Sequence, residues 1–331
     1  MCYKMARKKL FFAITVMFSV FGVWALVMEL NILNYCRICP KTNTYYFIDF
    51  EDVNKTFTLL PKVNCKKTRP YLVLLITCTH DEKEARMAIR ETWGRRRRIA
   101  GKLVSSYFLL GISTYQDLKS EAELVNESST YNDIIQRPFI DAYYNLTLKT
   151  IMGIDWISEH CPETKFVMKT DSDMFINTFY LVQLLEKKNQ SSNFFTGFLK
   201  LNEYPIRNIF SKWYASEREY PGVKYPPFCS GTGYVFSIDV AQKIYNISMT
   251  VPFFKLEDVY LGLCLAILDI HLKELHTEQT FFPEKQTFSA CRYSKLVTSH
   301  GVKPNENIVY WNLLQRSRAE KCKLELNHMT S

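Results

Sequence analysis

Asp171 and Asp173 set two carboxylates one residue apart, with Ser172 between them. Apolar runs flank the pair at residues 166–168 and 174–176. Such a pair, delivered by the end of a strand, holds a hard divalent cation and leaves coordination positions open for a ligand. Two anions beside a core also need a cation or hydrogen-bond donors to compensate them. In a lumenal protein the fitting task is the grip on the diphosphate of a nucleotide sugar. A solvated turn is the competing reading of the bare motif. A second acidic pair, Glu257-Asp258, opens the apolar run 259–265, which reads as a buried helix. Acids at a helix start serve the dipole or cap the first turn. One can do so while the other faces a cleft as a general base.

Weaker candidates surround these pairs. Arg90 and Lys169 are cations available to a donor phosphate or to the site carboxylates, with solvent-facing salt bridges as the alternative. Gly231 and Gly233 allow backbone to approach a donor sugar closely, although a G-x-G is more often a turn. Trp213 and Tyr214 lie in an irregular aromatic stretch, 210–225, and offer faces on which a sugar acceptor stacks. A lone histidine such as His300 is by itself a surface or satisfied core residue. Trp93 reads as core.

The elements that position these residues alternate. A buried strand is expected at 71–78, then a helix at 81–90 with acids in its first turn. A strand at 106–110 ends at Gly111; a polar helix at 116–127 and a short strand at 133–136 follow. Tyr144, Leu148, Ile151 and Ile154 recur at helical spacing, so a long helix precedes the D-x-D strand. This order predicts an α/β domain with a mainly parallel central sheet, helices on both faces and ligands at the carboxyl edge of the strands.

The setting is the secretory pathway. Residues 10–28 carry no charge and are rich in Phe, Val, Leu, Ile and Met, long enough to cross a hydrocarbon core about 30 Å thick. Lys4, Arg7, Lys8 and Lys9 precede them, which leaves the N-terminus cytosolic. Glu29, Leu30, Asn31 and Ile32 follow and make a poor signal-peptide cleavage site. The expected organisation is a cytosolic tail at 1–9, a type II anchor at 10–30, a stem at 31–68 and a lumenal catalytic domain at 69–331. Sequons occur at Asn54, Asn126, Asn145, Asn189 and Asn246. Nine of the ten cysteines follow the anchor, so most should be paired and at least one left free or intermolecular. Cys78 is the candidate free core thiol. Cys36 and Cys39 read as a stem disulfide or a bridge between two copies of the chain, since no second pair completes a zinc site. The formal charge of +9 owes part to the tail and part to Arg95–Arg98, expected as a solvated loop. A lumenal location excludes nucleic acid as partner.

Four segments in order, 86–94, 166–177, 228–234 and 256–262, together with 194–203, resemble the motifs of the β-1,3-glycosyltransferases, and within them the galactosyl branch. The resemblance spans residues 65–322. It implies a GT-A fold, UDP-galactose as donor, Mn²⁺, inversion at the anomeric carbon, a terminal GlcNAc acceptor and residence in the Golgi membrane. It also assigns roles. Asp173 is a metal ligand, with Asp171 acting through water or on the donor, and His300 a further ligand. Asp258 is the base, with Glu257 the second choice.

Two classes of function remain at this stage. The first is an active β-1,3-galactosyltransferase, with an N-acetylglucosaminyl- or N-acetylgalactosaminyltransferase as its nearest variant, because donor choice turns on a few side chains. The second is a catalytically inactive sugar-binding membrane protein. Retention of Asp171, Asp173, Asp258 and His300 together favours the enzyme.

Overall fold

The computed structural model describes residues 56–113 and 118–319. The expected tail and anchor, most of the stem with Cys36, Cys39 and Asn54, and Cys322 lie outside the described residues. Among the described residues no helix is long and apolar enough to cross a membrane. In chain order the elements are α1 (Cys65–Thr68), β1 (Leu72–Thr77), α2 (Lys83–Glu91), β2 (Arg97–Ile99), β3 (Lys102–Ile112), α3 (Leu118–Tyr131), β4 (Ile134–Ile140), α4 (Leu146–His160), β5 (Phe166–Asp171), β6 (Met174–Ile176) and α5 (Thr178–Lys188). They continue with β7 (Phe195–Lys200), β8 (Phe228–Ser237), α6 (Ile238–Ser248), α7 (Glu257–Ile267), β9 (Phe281–Phe282), α8 (Ala290–Ser294), β10 (Thr298–His300) and α9 (Pro304–Ala319).

A seven-stranded sheet runs β2-β3-β1-β5-β8-β7, with β4 also on β3; β6, β10 and β9 form a second, three-stranded sheet. Every side chain of β1 is buried, because layers cover both faces. Leu72, Leu74 and Ile76 join Ile89, Trp93, Leu181, Trp311 and Leu314 in one core. Leu75 and Leu109 point the other way, toward Gly153 of α4. The Tyr107 and Trp156 rings meet there at 4.5 Å. The apolar run 72–76 of β1 is what a strand buried on both faces requires.

The expectation of a mainly parallel sheet holds for its centre only. β4, β3, β1 and β5 are parallel, whereas β8 runs antiparallel to both β5 and β7, and β2 antiparallel to β3. No helix lies between Lys200 and Phe228, so the chain lacks the crossover that a parallel return needs. Gly111 does not end β3. The strand continues to Ile112 with a register shift, and a Cβ at position 111 would sit 2.4 Å from the Phe139 carbonyl oxygen. Gly111 is there to let β4 in.

Residues 56–68, assigned to the stem by composition, are pinned to the domain. Thr58 donates its backbone N–H to the Gln136 carbonyl at 2.9 Å, and Cys65 is bonded to Cys161. Cys291 is also disulfide-bonded. Cys78, Cys229 and Cys264 are free and buried, so Cys78 is one of three core thiols rather than a lone one. The arginine run is not a simple solvated loop. Arg97 and Arg98 belong to β2, and the Arg97 guanidinium lies 4.7 Å above the Trp311 ring.

The Cys65–Cys161 bridge closes a 96-residue separation, so replacing both cysteines by serine should cost about 2–5 kcal/mol, mostly by freeing the unfolded chain. Urea unfolding reads this directly. An unchanged midpoint would show that the bridge constrains nothing the fold does not already hold.

Candidate active site

Register places the first carboxylates. Leu72 through Thr77 of β1 pair with Phe166 through Asp171 of β5, so Thr77 and Asp171 end their strands side by side. Asp171 Oδ1 accepts from the Thr77 hydroxyl at 2.6 Å and from the Lys169 ammonium at 2.8 Å. The turn that follows is fixed at its middle. Ser172 donates its N–H to the Thr77 carbonyl at 3.1 Å and its hydroxyl to Glu82 at 2.7 Å. Glu82 in turn caps the helical turn His80–Glu82 by accepting the Thr79 N–H at 2.7 Å. Asp173, unlike its partner, projects into the open, and the β6–β10 pairing sets His300 opposite Met174. His300 Nε2 therefore lies 3.1 Å from Asp173 Oδ2. That hydrogen bond, against the opposing effect of burial, lifts His300 above the usual imidazole range and holds Asp173 below the usual carboxylate range.

The second acidic pair opens α7, and its members part company. Glu257 is buried; it accepts from Thr150 at 3.2 Å and from the Tyr234 hydroxyl, and stands 3.5 Å from Lys169. Burial pushes its pKa up to about 7 despite the lysine. Asp258 keeps partial exposure, accepts the Val259 N–H at 2.9 Å and the Gly231 N–H at 3.1 Å, and is also held above the usual carboxylate range by burial. Gly231 and Gly233 lie within β8, not in a turn. A Cβ on Gly231 would come within 3.1 Å of Glu257 and 3.5 Å of Asp258. The glycine thus leaves room for both carboxylates, and its own N–H binds Asp258. Gly233 pairs with Thr170 of β5.

Lys169 ties the two pairs together. Its buried ammonium donates to Asp171 and to the Gly231 carbonyl, both at 2.8 Å, and faces Glu257. Burial works against its charge, but the two carboxylates outweigh it and raise the group above the ordinary lysine range. Lys169 is an internal clamp rather than a ligand for phosphate.

These groups share one cleft of about 680 Å³, lined by Asp171, Asp173, His300, Asp258, Gly231 and Trp213 among others. Trp213 is half exposed on its wall. Tyr214 does not line it; its ring lies 5.3 Å from the ammonium of Lys255, which also pairs with Glu219 at 2.8 Å. Arg90 is not brought here. It pairs with Asp133 at 2.8 Å and Glu127 at 2.7 Å, beside a separate cavity of about 540 Å³. Its charge is consumed by partners some forty residues on, which the sequence does not display. Of the described sequons, Asn126, Asn189 and Asn246 are exposed, while half-buried Asn145 donates its amide to the Ile140 carbonyl at 2.8 Å.

Sequence reasoning missed Thr77, Tyr234 and Lys255. Thr77, on the strand before the D-x-D strand in the sheet, is recoverable once the two strands are aligned in parallel. The other two carry no local signal.

A family model described as galactosyltransferase matches residues 84–276. Beta-1,3-galactosyltransferase 5 of Homo sapiens is 54% identical over 266 residues, which is 80% of this chain and 85% of that protein. The Mus musculus protein of the same name is 52% identical over 273 residues, 82% of this chain and 88% of that one. Beta-1,3-galactosyltransferase 2 of Homo sapiens is 45% identical over 260 residues, 78% of this chain and 62% of that protein.

Proposed function

The chain belongs to the galactosyltransferase family, among the β-1,3-galactosyltransferases, and is a hexosyltransferase; on that premise we propose that it transfers galactose from UDP-galactose to the 3-hydroxyl of a terminal N-acetylglucosamine on glycoprotein or glycolipid glycans. One observation carries the reading. Asp173 with His300 on one side, and Asp258 on another element, line a single cleft large enough for a nucleotide sugar. The fold is then of the GT-A type, and residues 10–30 anchor the domain in the Golgi lumen.

The donor set fits a divalent cation. Asp173 Oδ2 and His300 Nε2 face each other at 3.1 Å and are the two groups that would hold the cation together. The Pro283 carbonyl holds His300 Nδ1 at 3.0 Å, which fixes the ring and reserves Nε2 for a ligand. A mixed carboxylate and imidazole set suits Mn²⁺ better than Mg²⁺. Among the described residues no cluster of three such groups stands assembled. Diphosphate and water would supply the remaining positions, with Asp171 acting through water or on the donor. When bound, the cation stabilises the charge that grows on the leaving UDP.

The chain's own residues do the rest. Asp258 takes the proton from the acceptor hydroxyl, so that the oxygen attacks the anomeric carbon from the face opposite UDP and inverts it. Glu257, also on the cleft but buried and bonded to Tyr234 and Thr150, is the second choice for this role. Trp213 offers a ring face to the acceptor sugar.

The test offers UDP-galactose, UDP-GlcNAc and UDP-GalNAc separately with a GlcNAc-terminated acceptor, with Mn²⁺ and with chelator. Chelator-sensitive β1,3 transfer from UDP-galactose alone is expected. Asp173→Ala and His300→Ala should each lower that transfer by more than about a hundredfold, since ligand loss exceeds the effect of outer-shell changes. Another preferred donor would move the enzyme to a neighbouring branch. No transfer by folded protein, across several acceptors, would favour the inactive sugar-binding reading.

A further inference from the structure

The wall of the cleft that carries Trp213 continues into a surface that the transfer reaction does not use. Between β7 and β8 the chain makes a narrow loop, closed by a bridge between Ile206 and Tyr214 and by the Ala215 N–H on the Ile206 carbonyl at 3.0 Å. Its apex turns tightly, with the Ser211 N–H on the Asn208 carbonyl and the Tyr214 N–H on that of Ser211, both at 3.0 Å. Arg207 braces the base by donating to the carbonyls of Ala215, Tyr220 and Gly222. The apex is ordered, yet it presents apolar side chains to solvent. Phe210 is 90% exposed and Ile209 67%, with Val223 beside the brace at 82%.

A monomer gains nothing by exposing a phenylalanine and an isoleucine together on a braced loop, so the patch marks an interaction surface. Its composition narrows the partner. Residues 206–213 contain Arg207 and Lys212 and no acid. The Lys212 ammonium lies 4.6 Å from the Trp213 ring, so a cation and an indole form the border between the apolar tip and the cleft. Aliphatic and aromatic tips edged by indole and lysine are the composition of segments that sit in a bilayer interface. The chain also holds a bilayer within reach. On the anchor reading, residues 29–55 separate the charge-free run 10–28 from the first described residue, a tether that spans at most about 90 Å when fully extended.

We propose that the apex 209–212 docks on a lipid bilayer, so that the cleft beside it receives acceptor sugars carried on membrane lipids. The second half of this proposal rests on the transferase reading above; the docking itself does not.

The experiment reconstitutes the full chain in phosphatidylcholine vesicles. It offers the same GlcNAc-terminated saccharide either as a glycolipid in those vesicles or as a water-soluble glycoside. The double variant Ile209→Ser, Phe210→Ser lies outside the cleft lining. It should lower kcat/KM on the glycolipid by about tenfold, the loss expected when an apolar anchor leaves the interface, and leave the soluble acceptor within about twofold. Equal loss on both acceptors, or loss on neither, overturns the proposal; the latter is the outcome if the patch serves a protein partner. A readout independent of turnover covers the case in which the wild-type protein transfers nothing. Phe210→Trp should gain emission that brominated-chain phosphatidylcholine quenches beyond the wild-type level. An added tryptophan indifferent to the brominated lipid also overturns the proposal.

Discussion

Asp258→Asn is expected to lower turnover by about 10²–10⁴, the range that loss of a positioned general base produces, while donor binding and thermal stability stay intact. Asparagine keeps one oxygen for the Val259 N–H, which Oδ1 of Asp258 accepts now at 2.9 Å, but its amide nitrogen replaces the Oδ2 that accepts the Gly231 N–H at 3.1 Å. It also loses the capacity to accept a proton from the acceptor. Stability gives the prediction its edge. Burial raises the Asp258 pKa, so its stabilising contribution is complete below the unfolded pKa and is lost as pH rises through the folded one. At neutral pH the charge is a cost, and its removal offsets the bond lost from Gly231, so the melting temperature should change little. The same shift sets the pH profile. The wild-type rate should fall, as pH drops, on a limb lying above the range of an ordinary aspartate. Kinetics, calorimetric titration with UDP-galactose and thermal unfolding of one variant check all of this. Near-normal turnover removes Asp258 as base, and a large drop in melting temperature would make its role structural.

Much of this site is legible in the sequence because its members sit at the ends of strongly patterned elements. The runs around Asp171 and Asp173, and the buried helix after Glu257-Asp258, announce both a local structure and an acid in the wrong place for a core. The connections between them are not legible. Lys169 is two residues from Asp171, yet Gly231 and Glu257 reach it only because β8 is inserted antiparallel beside β5 and α7 starts over that strand. The antiparallel insertion had a signal: the stretch 201–227 is long enough for a crossover helix but has no helical period. Gly231 and Gly233 read locally as a turn, since nothing nearby reveals that two carboxylates lie against Gly231, and Met168, Thr170 and Thr298 against Gly233. Arg90 shows the opposite failure. Its local pattern suits a site cation, but Glu127 and Asp133 claim it through tertiary packing.

Lys169→Met should be strongly damaging, and its pH dependence separates a clamp from a packing residue. The ammonium lies between Asp171 at 2.8 Å and Glu257 at 3.5 Å, with the Gly231 carbonyl at 2.8 Å. Methionine fills similar volume but leaves two carboxylates without their cation. Removing one partner of a buried pair costs about 3–5 kcal/mol, which in a domain of this size lowers the melting temperature by about 10 °C. Glu257 can relieve part of that cost. Its pKa already stands at about 7 with the lysine present, through burial, and loss of the lysine raises it further. A carboxylate raised in the folded state contributes stability at low pH and loses it as pH rises through the folded value. The deficit of the variant should therefore be smallest near pH 6 and grow toward pH 8. Adding Glu257→Gln should remove that dependence and recover part of the melting temperature. Activity should stay lost in both, because Asp171 keeps Thr77 but loses its ammonium partner, and the Gly231 backbone that bonds Asp258 loses the donor on its carbonyl. A deficit equal at pH 6 and pH 8, unaffected by the second substitution, would mean that Lys169 merely fills space.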